Sequence, residues 1–330
     1  MFPDCIGGGA NNEHGSLKGD MNEVRQVMKN VFGAIALVPV LLAILIMPEA
    51  LADQPLQVTV SILPQKYFVE KIGGQQVAVT VMVEPGAEPH VYDPKPQQMA
   101  SLAKSKVYFA AGVPFEDAWL KKFAAANPDM QIVHTETGIE KLPMKGHDEH
   151  AETGHQQQTP HGEEHQHGVL DPHIWLSPPL VMIQARNMLD AFLDVDPAHK
   201  SLYETNYRKF MEEIVALDLD LLDLFGEVKG NKEFMVFHPA WGYFAEAYGL
   251  IQTPVETEGK EPKAADLKHL IEHARERGIK VIFVQPQFSS TSARVIAEAI
   301  GGQIIPADPM AYDWAKNLRE VAEKFKAALK

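Results

Sequence analysis

The chain has 330 residues, of which 45% are hydrophobic and 22% are charged, a composition typical of globular proteins. A length above about 250 residues usually requires more than one hydrophobic core, so we expect two lobes. The formal net charge of −14 argues against nucleic acid and anionic membrane surfaces as partners, because both require basic patches.

The N-terminal region has the pattern of an export signal. Arg25 and Lys29 precede an apolar run over residues 31–47, and Ala50-Leu51-Ala52 follows it. A basic start, an apolar segment and a small-x-small site are typical of a secretory signal peptide. We therefore predict that residues 1–52 are an N-terminal extension and signal peptide that is cleaved after Ala52. A membrane anchor is the alternative.

The same N-terminal region contains the candidate start residues and the cysteine of the chain. Both Met1 and Met21 are candidate start residues, and the single cysteine, Cys5, lies before the apolar run. Cleavage after Ala52 therefore leaves a mature protein without disulfides or thiolates. Any metal site must then use His, Asp, Glu or water as ligands.

After the signal peptide, short apolar runs alternate with helical patterns. This alternation predicts a parallel sheet with helices on both faces. The predicted strands of the first lobe are Val58–Ile62, Val77–Val83, Val107–Ala110 and Ile132–His134, and its predicted helices are Tyr67–Ile72, Pro96–Lys104 and Phe115–Ala126.

The same alternation returns near the C-terminus and predicts a second α/β lobe. Its predicted strands are Phe234–Phe237, Ile251–Thr253, Val281–Val284 and Ile304–Ile305, and its predicted helices are Gly242–Tyr248, Ala264–Arg277, Thr291–Ala299 and Asp313–Ala328.

A long helix is predicted between the two sets. The apolar residues of Pro197–Phe225 follow helical spacing, and at 1.5 Å per residue the helix spans roughly 40 Å, enough to bridge two lobes. We therefore assign residues 53–196 to the N-terminal α/β lobe, 197–225 to the linking helix and 226–330 to the C-terminal α/β lobe.

Residues 146–168 differ from the rest of the first lobe because they contain almost no apolar side chains. Such a segment cannot offset its ordering entropy by burial, so we interpret it as a mobile loop. Its composition favours weak, exchangeable binding of zinc, copper or nickel. The loop holds six of the chain's 14 histidines, His147, His150, His155, His161, His165 and His167.

One segment of this loop matches a zinc-peptidase pattern. Residues 161–165 read H-x-x-E-H, which binds zinc when a helix places both histidines on one face. Pro160 and Gly162 interrupt any helix here, so we do not predict a peptidase site.

Four residues outside the loop are candidate ligands of a tight metal site. His90 and His173 lie in the predicted first lobe, and His238 and Asp308 in the second. Three of the four follow predicted strands, and ligands bind at the carboxyl ends of strands in open α/β sheets. Three imidazoles and one carboxylate form a four-coordinate set that suits zinc.

At these positions the sequence resembles the periplasmic zinc-binding receptors of ABC transporters, the ZnuA-like branch of a group that also contains manganese receptors. The resemblance covers most of residues 55–328, and its motifs are Pro85–Pro94 (G-x-x-P-H-x-Y), Asp171–Leu176 (D-P-H-x-W-L), His238–Leu250 (H-P-A-x-x-Y-F-A-x-x-Y-G-L) and Ala307–Pro309. It implies two α/β lobes joined by one rigid helix, with metal in the cleft between them. It also implies His90, His173, His238 and Asp308 as ligands.

Two details favour zinc over manganese. Manganese members of the family tend to carry a carboxylate where this chain has His238, and the histidine-rich loop is typical of the zinc receptors. The fourth ligand is left open between Asp308, Glu88 and water. Where the family often has Glu-Pro, this chain has Gln285-Pro286, which removes one possible carboxylate near the metal.

The resemblance implies a function in transport and not in catalysis. The protein is expected to be a periplasmic monomer that binds Zn²⁺ as its cargo and delivers it to a membrane permease with a cytoplasmic ATPase. The alternatives are a manganese or iron receptor of the same family, a secreted zinc hydrolase, and a periplasmic metal buffer or surface adhesin. For the hydrolase the sequence shows no specific general base, and Glu88 and Glu256 are left open for that role.

Overall fold

The computed structural model describes residues 54–144, 170–256, 260–289 and 291–329, together with the helical residues Arg25, Gln26 and Met28. The chain divides into two units, 1–54 and 55–330, and both sheets lie in the second. The predicted signal peptide lies almost wholly outside the described residues. Within the described ranges, no helix has both the length and the apolar character needed to cross a membrane.

The first sheet has four parallel strands in the order β2-β1-β3-β4. Each strand is a short run rich in β-branched or aromatic residues, and helices cover the sheet, as a parallel sheet requires. The strands are β1 Leu56–Val60, β2 Val77–Val81, β3 Val107–Ala110 and β4 Gln131–His134, and the helices are α1 Leu63–Gly73, α2 Pro96–Leu102, α3 Phe115–Ala126 and, after the undescribed segment, α4 Pro178–Val195.

The second sheet repeats this topology with the order β6-β5-β7-β8. In β5, Phe234 and Val236 belong to one core cluster and Met235 to another, because alternate residues of a strand face opposite sides of its sheet. The elements are β5 Glu233–Val236, α6 Gly242–Ala247, β6 Ile251–Pro254, α7 Ala264–Glu276, β7 Val281–Val284, α8 Thr291–Ile300, β8 Gln303–Pro306 and α9 Trp314–Ala328.

The linking helix α5 spans Lys200–Gly226 and follows a 3₁₀ turn over Pro197–His199. It packs on α1 and α4 of the first lobe and on α9 of the second. The fold is therefore two parallel-sheet α/β lobes joined by one long helix. The buried side of α5 consists of Tyr203, Phe210, Ile214, Leu217, Leu221 and Phe225, at helical spacing.

The helix α4 was not predicted from the sequence. It begins at the Pro178-Pro179 pair, and a proline at the first helical position is favourable because the missing N–H needs no partner there. Val181, Ala185 and Phe192 of this helix are buried. The spacing of these buried residues indicates a helix, whereas two successive prolines are more typical of a loop.

One hydrophobic core runs through both lobes. It includes β1 and β3 of the first sheet, the buried side of α5 and the inner side of α9. Trp314 of α9 meets Phe68 of α1 edge-on with ring centroids 5.1 Å apart, and Phe325 stacks on Phe234 at 4.3 Å. A shared, close-packed core resists large domain closure.

Candidate metal centre

His90 lies in the loop that follows β2. The carbonyl of Pro89 accepts a hydrogen bond from the N–H of Phe115, and the ring of Tyr92 packs edge-on against Phe115 at 5.8 Å. The start of α3 therefore holds the residues on both sides of His90. The His90 side chain is 19% exposed, and both of its ring nitrogens are buried without a hydrogen-bond partner among the described residues.

His173 lies just before a 3₁₀ turn over Ile174–Leu176 and is buried. Its backbone N–H and its ring Nδ1 both face Oδ1 of Asp171, at 2.9 and 2.7 Å. Two donors on one carboxylate oxygen fix the direction of the imidazole. Its Nε2 therefore carries no proton, and the lone pair of this atom faces the second lobe.

His238 lies two residues after β5 and is also buried. Its backbone is held by Gln285, whose Oε1 accepts from the His238 N–H and whose Nε2 donates to the His238 carbonyl. Its ring stacks on Phe288 with centroids 4.5 Å apart, and its Nδ1 contacts Oε1 of Glu256. Three neighbours thus fix its backbone, ring plane and ring edge.

The three histidines converge between the lobes. One ring nitrogen from each of His90, His173 and His238 lies within 4.8 Å of the others, and the Nε2 atoms of His173 and His238 are 3.4 Å apart. For a tetrahedral ion with metal–nitrogen distances of about 2.0–2.1 Å, two ligand nitrogens are separated by about 3.3–3.4 Å. The observed separation therefore matches one edge of a zinc-sized site.

The electrostatics of this cluster disfavour an extra proton on His238. Burial, together with the neighbouring imidazoles of His173 and His90, lowers the pKa of His238 well below its ordinary value. Burial and the nearby carboxylates of Glu88 and Glu261 raise the pKa of Glu256 to about 8. A cation at Nε2 of His238 favours the tautomer with the proton on Nδ1, which an ionised Glu256 stabilises as hydrogen-bond acceptor.

Asp308 is not part of this group of close ligating atoms among the described residues. Its Oδ1 accepts hydrogen bonds from Gln287 Nε2 and from the N–H of Met310, each at 2.9 Å. Glu88 places Oε1 3.3 Å from Nδ1 of His90. The six histidines of the predicted loop 146–168 lie in the undescribed segment 145–169.

Most of the contacts that support the histidines were not predicted from the sequence. Glu256 is a candidate general base on sequence grounds, whereas the structure places it on Nδ1 of His238. Gln285 stands where the resemblance implies a carboxylate, and its amide uses both its donor and its acceptor to hold the His238 backbone. The sequence position of both residues could have placed them near His238, because both closely follow strands that neighbour β5.

Comparison with known proteins agrees with this architecture. The family described as ZnuA, zinc-uptake complex component A periplasmic, matches residues 58–328. The high-affinity zinc uptake system protein ZnuA of Bacillus subtilis is 30% identical over 252 residues, which are 75% of this chain and 76% of that protein.

Two further relatives bear on the metal. A crystal structure of a ZnuA deletion mutant with zinc bound is 40% identical and has a TM-score of 0.74, with coverage of 83% of this chain and 98% of that chain. The iron-binding protein YfeA of Yersinia pestis is 26% identical over 240 residues, with coverage of 72% and 71%. Relatives of this chain are thus named for different metals.

Proposed function

The chain belongs to the ZnuA family of periplasmic zinc-uptake components, and from this membership we propose that it is a receptor that binds Zn²⁺ as cargo for an ABC transporter. The proposal rests above all on one observation, the 3.4 Å approach of the Nε2 atoms of His173 and His238. The Nδ1 of each ring faces a carboxyl group, so both Nε2 atoms are directed at the same point, where a cation can bind both of them.

His90, His173 and His238 are the proposed ligands. Neutral imidazole is a borderline ligand that suits zinc and hardly suits magnesium or calcium. Neither buried ring nitrogen of His90 has a hydrogen-bond partner among the described residues, although Glu88 Oε1 lies 3.3 Å from Nδ1. A buried polar atom normally has such a partner, so this observation supports the same assignment. Asp308, Glu88 or water would complete the coordination.

Capture and release are proposed to involve the first-lobe loop that carries His90. His173 and His238 are buried and each is held by several contacts, whereas His90 is partly exposed. The core shared by both lobes limits their relative movement. A small displacement of the His90 loop would therefore open the site with less disruption than separation of the lobes.

The remaining parts of the proposal concern the protein's setting. We propose that residues 1–52 direct export to the periplasm, that the mature chain is a monomer, and that it docks on a membrane permease driven by a cytoplasmic ATPase. We also propose that the histidine-rich loop collects zinc with lower affinity. A role as a hydrolase is disfavoured because both candidate bases face proposed ligands, Glu256 at His238 Nδ1 and Glu88 3.3 Å from His90 Nδ1.

Metal titration tests the proposed site. In a competition assay against a zinc chelator, the protein without residues 1–52 should bind one zinc tightly and further zinc weakly. His238→Ala should weaken the tight site by at least about 100-fold, since loss of even an outer partner of a ligand costs about 10–100-fold. His134→Ala is the matched control, because His134 is exposed and contacts Glu136 instead of the cluster.

Deletion of residues 147–167 separates the receptor from a metal buffer. A receptor should keep its one tight site, whereas a buffer should lose most of its capacity. Competition of zinc against manganese and iron in the same variant identifies the preferred cargo. Tight zinc binding that survives in His238→Ala would overturn the site assignment.

A further inference from the structure

The turn that follows β7, Gln285–Phe288, contributes no atom to the histidine cluster, yet it contacts both second-lobe residues predicted as ligands. Gln285 and Phe288 hold the backbone and the ring of His238. Between them, Gln287 faces Asp308 and donates from Nε2 to its Oδ1 at 2.9 Å. One four-residue turn therefore sets the position of two side chains at the site.

The hydrogen bond from Gln287 holds the Asp308 side chain next to this turn. Its Oδ1 also accepts from the N–H of Met310 at 2.9 Å, and its carbonyl accepts from Nδ2 of Asn317 at 2.8 Å. The two donors on Oδ1 fix the direction of this carboxylate, whereas Oδ2 keeps its lone pairs. Gln287 therefore acts by holding Asp308 outside the group of close ligating atoms and not by blocking both of its oxygens.

Gln287 makes this contact in an otherwise unfavourable setting. Its Oε1 is buried without a hydrogen-bond partner in the part of the chain that the structure describes. Native proteins rarely leave a buried amide oxygen unsatisfied, so the position of the Gln287 amide is explained by its contact with Asp308 and not by a partner of Oε1. A leucine of similar size would avoid the unsatisfied oxygen but would release Asp308.

We propose that Gln287 is a specificity-determining residue of the metal site. By retaining Asp308, its amide keeps the site a set of three imidazole nitrogens, which favours zinc over harder cations such as manganese that bind better with more oxygen ligands. This inference rests on the proposed function, since it assumes that His90, His173 and His238 bind the cargo.

The substitution Gln287→Leu tests the inference. The released carboxylate should raise the manganese affinity by about tenfold or more, the lower end of the effect of outer partners on metal binding. The zinc affinity should change less, so that the zinc-to-manganese preference falls. Gln303→Leu is the matched control, because Gln303 is exposed on β8 and should leave both affinities unchanged.

Asp308→Asn tests whether the gain in manganese affinity requires the Asp308 carboxylate. In the Gln287→Leu background it should cancel the gain in manganese affinity, whereas in the otherwise unchanged protein it should barely alter zinc binding. The absorption spectrum of bound Co²⁺ gives a second readout, because an added oxygen ligand changes the d–d bands. Gln287→Ala repeats the test with a smaller side chain, should the leucine variant fold poorly.

Two outcomes overturn the inference alone and leave the proposed function standing, and a third rejects both. An unchanged metal preference and Co²⁺ spectrum in both Gln287 variants would reject the role of Gln287. Asp308→Asn that weakens zinc as strongly as His238→Ala would show that Asp308 already binds the metal. Absence of a tight zinc site in the unmodified protein would instead reject the proposed function, and this inference with it.

Discussion

His173 and His238 place their Nε2 atoms 3.4 Å apart although they lie 65 positions apart in the chain and in different lobes. Each ring has a carboxylate at its Nδ1, Asp171 on one side and Glu256 on the other. This symmetric arrangement orients the two nitrogens that we propose as metal ligands before any ion arrives. The side chains of the site therefore lose their conformational freedom when the protein folds and not when a metal binds.

The contact between Glu256 and His238 gives the first prediction. Glu256→Gln removes the negative charge that would stabilise the Nδ1 proton once a cation is bound, while it keeps the size of the side chain, so the zinc affinity should fall by about 10–100-fold. Chelator competition measures this change. Glu246→Gln removes the same charge from an exposed position of α6 and should leave the affinity unchanged.

The same prediction requires that the fold survives the substitution. The thermal midpoint of the metal-free Glu256→Gln protein should stay close to that of the parent, because the amide oxygen can still accept from Nδ1. If both glutamate variants lowered the zinc affinity equally, the effect would come from net charge, and the positioning role of Glu256 would be wrong.

The second sheet explains how much of the site could be predicted from the sequence. His238, Glu256, Gln285 and Asp308 each follow a different strand by one or two residues, and parallel strands align their carboxyl ends. The strand pattern therefore predicts that these residues lie at one edge. It does not predict which of them join the histidine cluster, because the Gln287–Asp308 and Gln285–His238 contacts depend on turns without a local signal.

The first lobe shows a different limit. The prediction of β3 and α3 matched the structure because their apolar residues are continuous or helically spaced. The approach of His173 to the second lobe was expected only from the family resemblance, and its local cause was not predicted. It depends on Trp175, whose indole N–H donates to the carbonyl of Pro309 and whose carbonyl accepts from the indole of Trp314. Such long-range pairing has no periodic signature.

Tyr243 gives the second prediction, which concerns the junction of the lobes. Its hydroxyl accepts from the N–H of Leu142 and donates to the carbonyl of Asp171, both at 2.9 Å. Gly242 allows this approach, since a Cβ there would lie 2.8 Å from Oδ2 of Asp171. Tyr243→Phe would leave two backbone groups without this partner and should lower the free energy of unfolding by about 1–3 kcal/mol.

Urea unfolding of the metal-free protein measures this loss. Tyr312→Phe is the control, because its hydroxyl bonds Glu70 at the exposed surface, where a substitution changes stability by at most about 0.5 kcal/mol. Since Asp171 also holds His173, Tyr243→Phe should weaken zinc binding as well. Equal stability of the two tyrosine variants would contradict a structural role for the Tyr243 hydroxyl.

The third prediction concerns Glu116, a buried carboxyl outside the histidine cluster. Its carboxyl accepts from the Ser61 hydroxyl and from the N–H groups of Ala111 and Gly112. Burial nevertheless outweighs these bonds and raises its pKa from 4.5 to about 7. The folded protein therefore binds a proton more tightly than the unfolded chain, and stability falls as the pH rises from 4.5 to 7.

Glu116→Gln should remove this pH-dependent loss of stability, because the amide stays neutral at every pH. The difference in unfolding free energy between variant and parent should grow in favour of the variant by about 3 kcal/mol between pH 4.5 and 7, since each pKa unit corresponds to about 1.4 kcal/mol. Denaturant unfolding across this range, with a chelator present, measures it, and the histidines cancel in the difference. Parallel stability curves would show that Glu116 is ionised throughout, held by Ser61 and the two N–H groups.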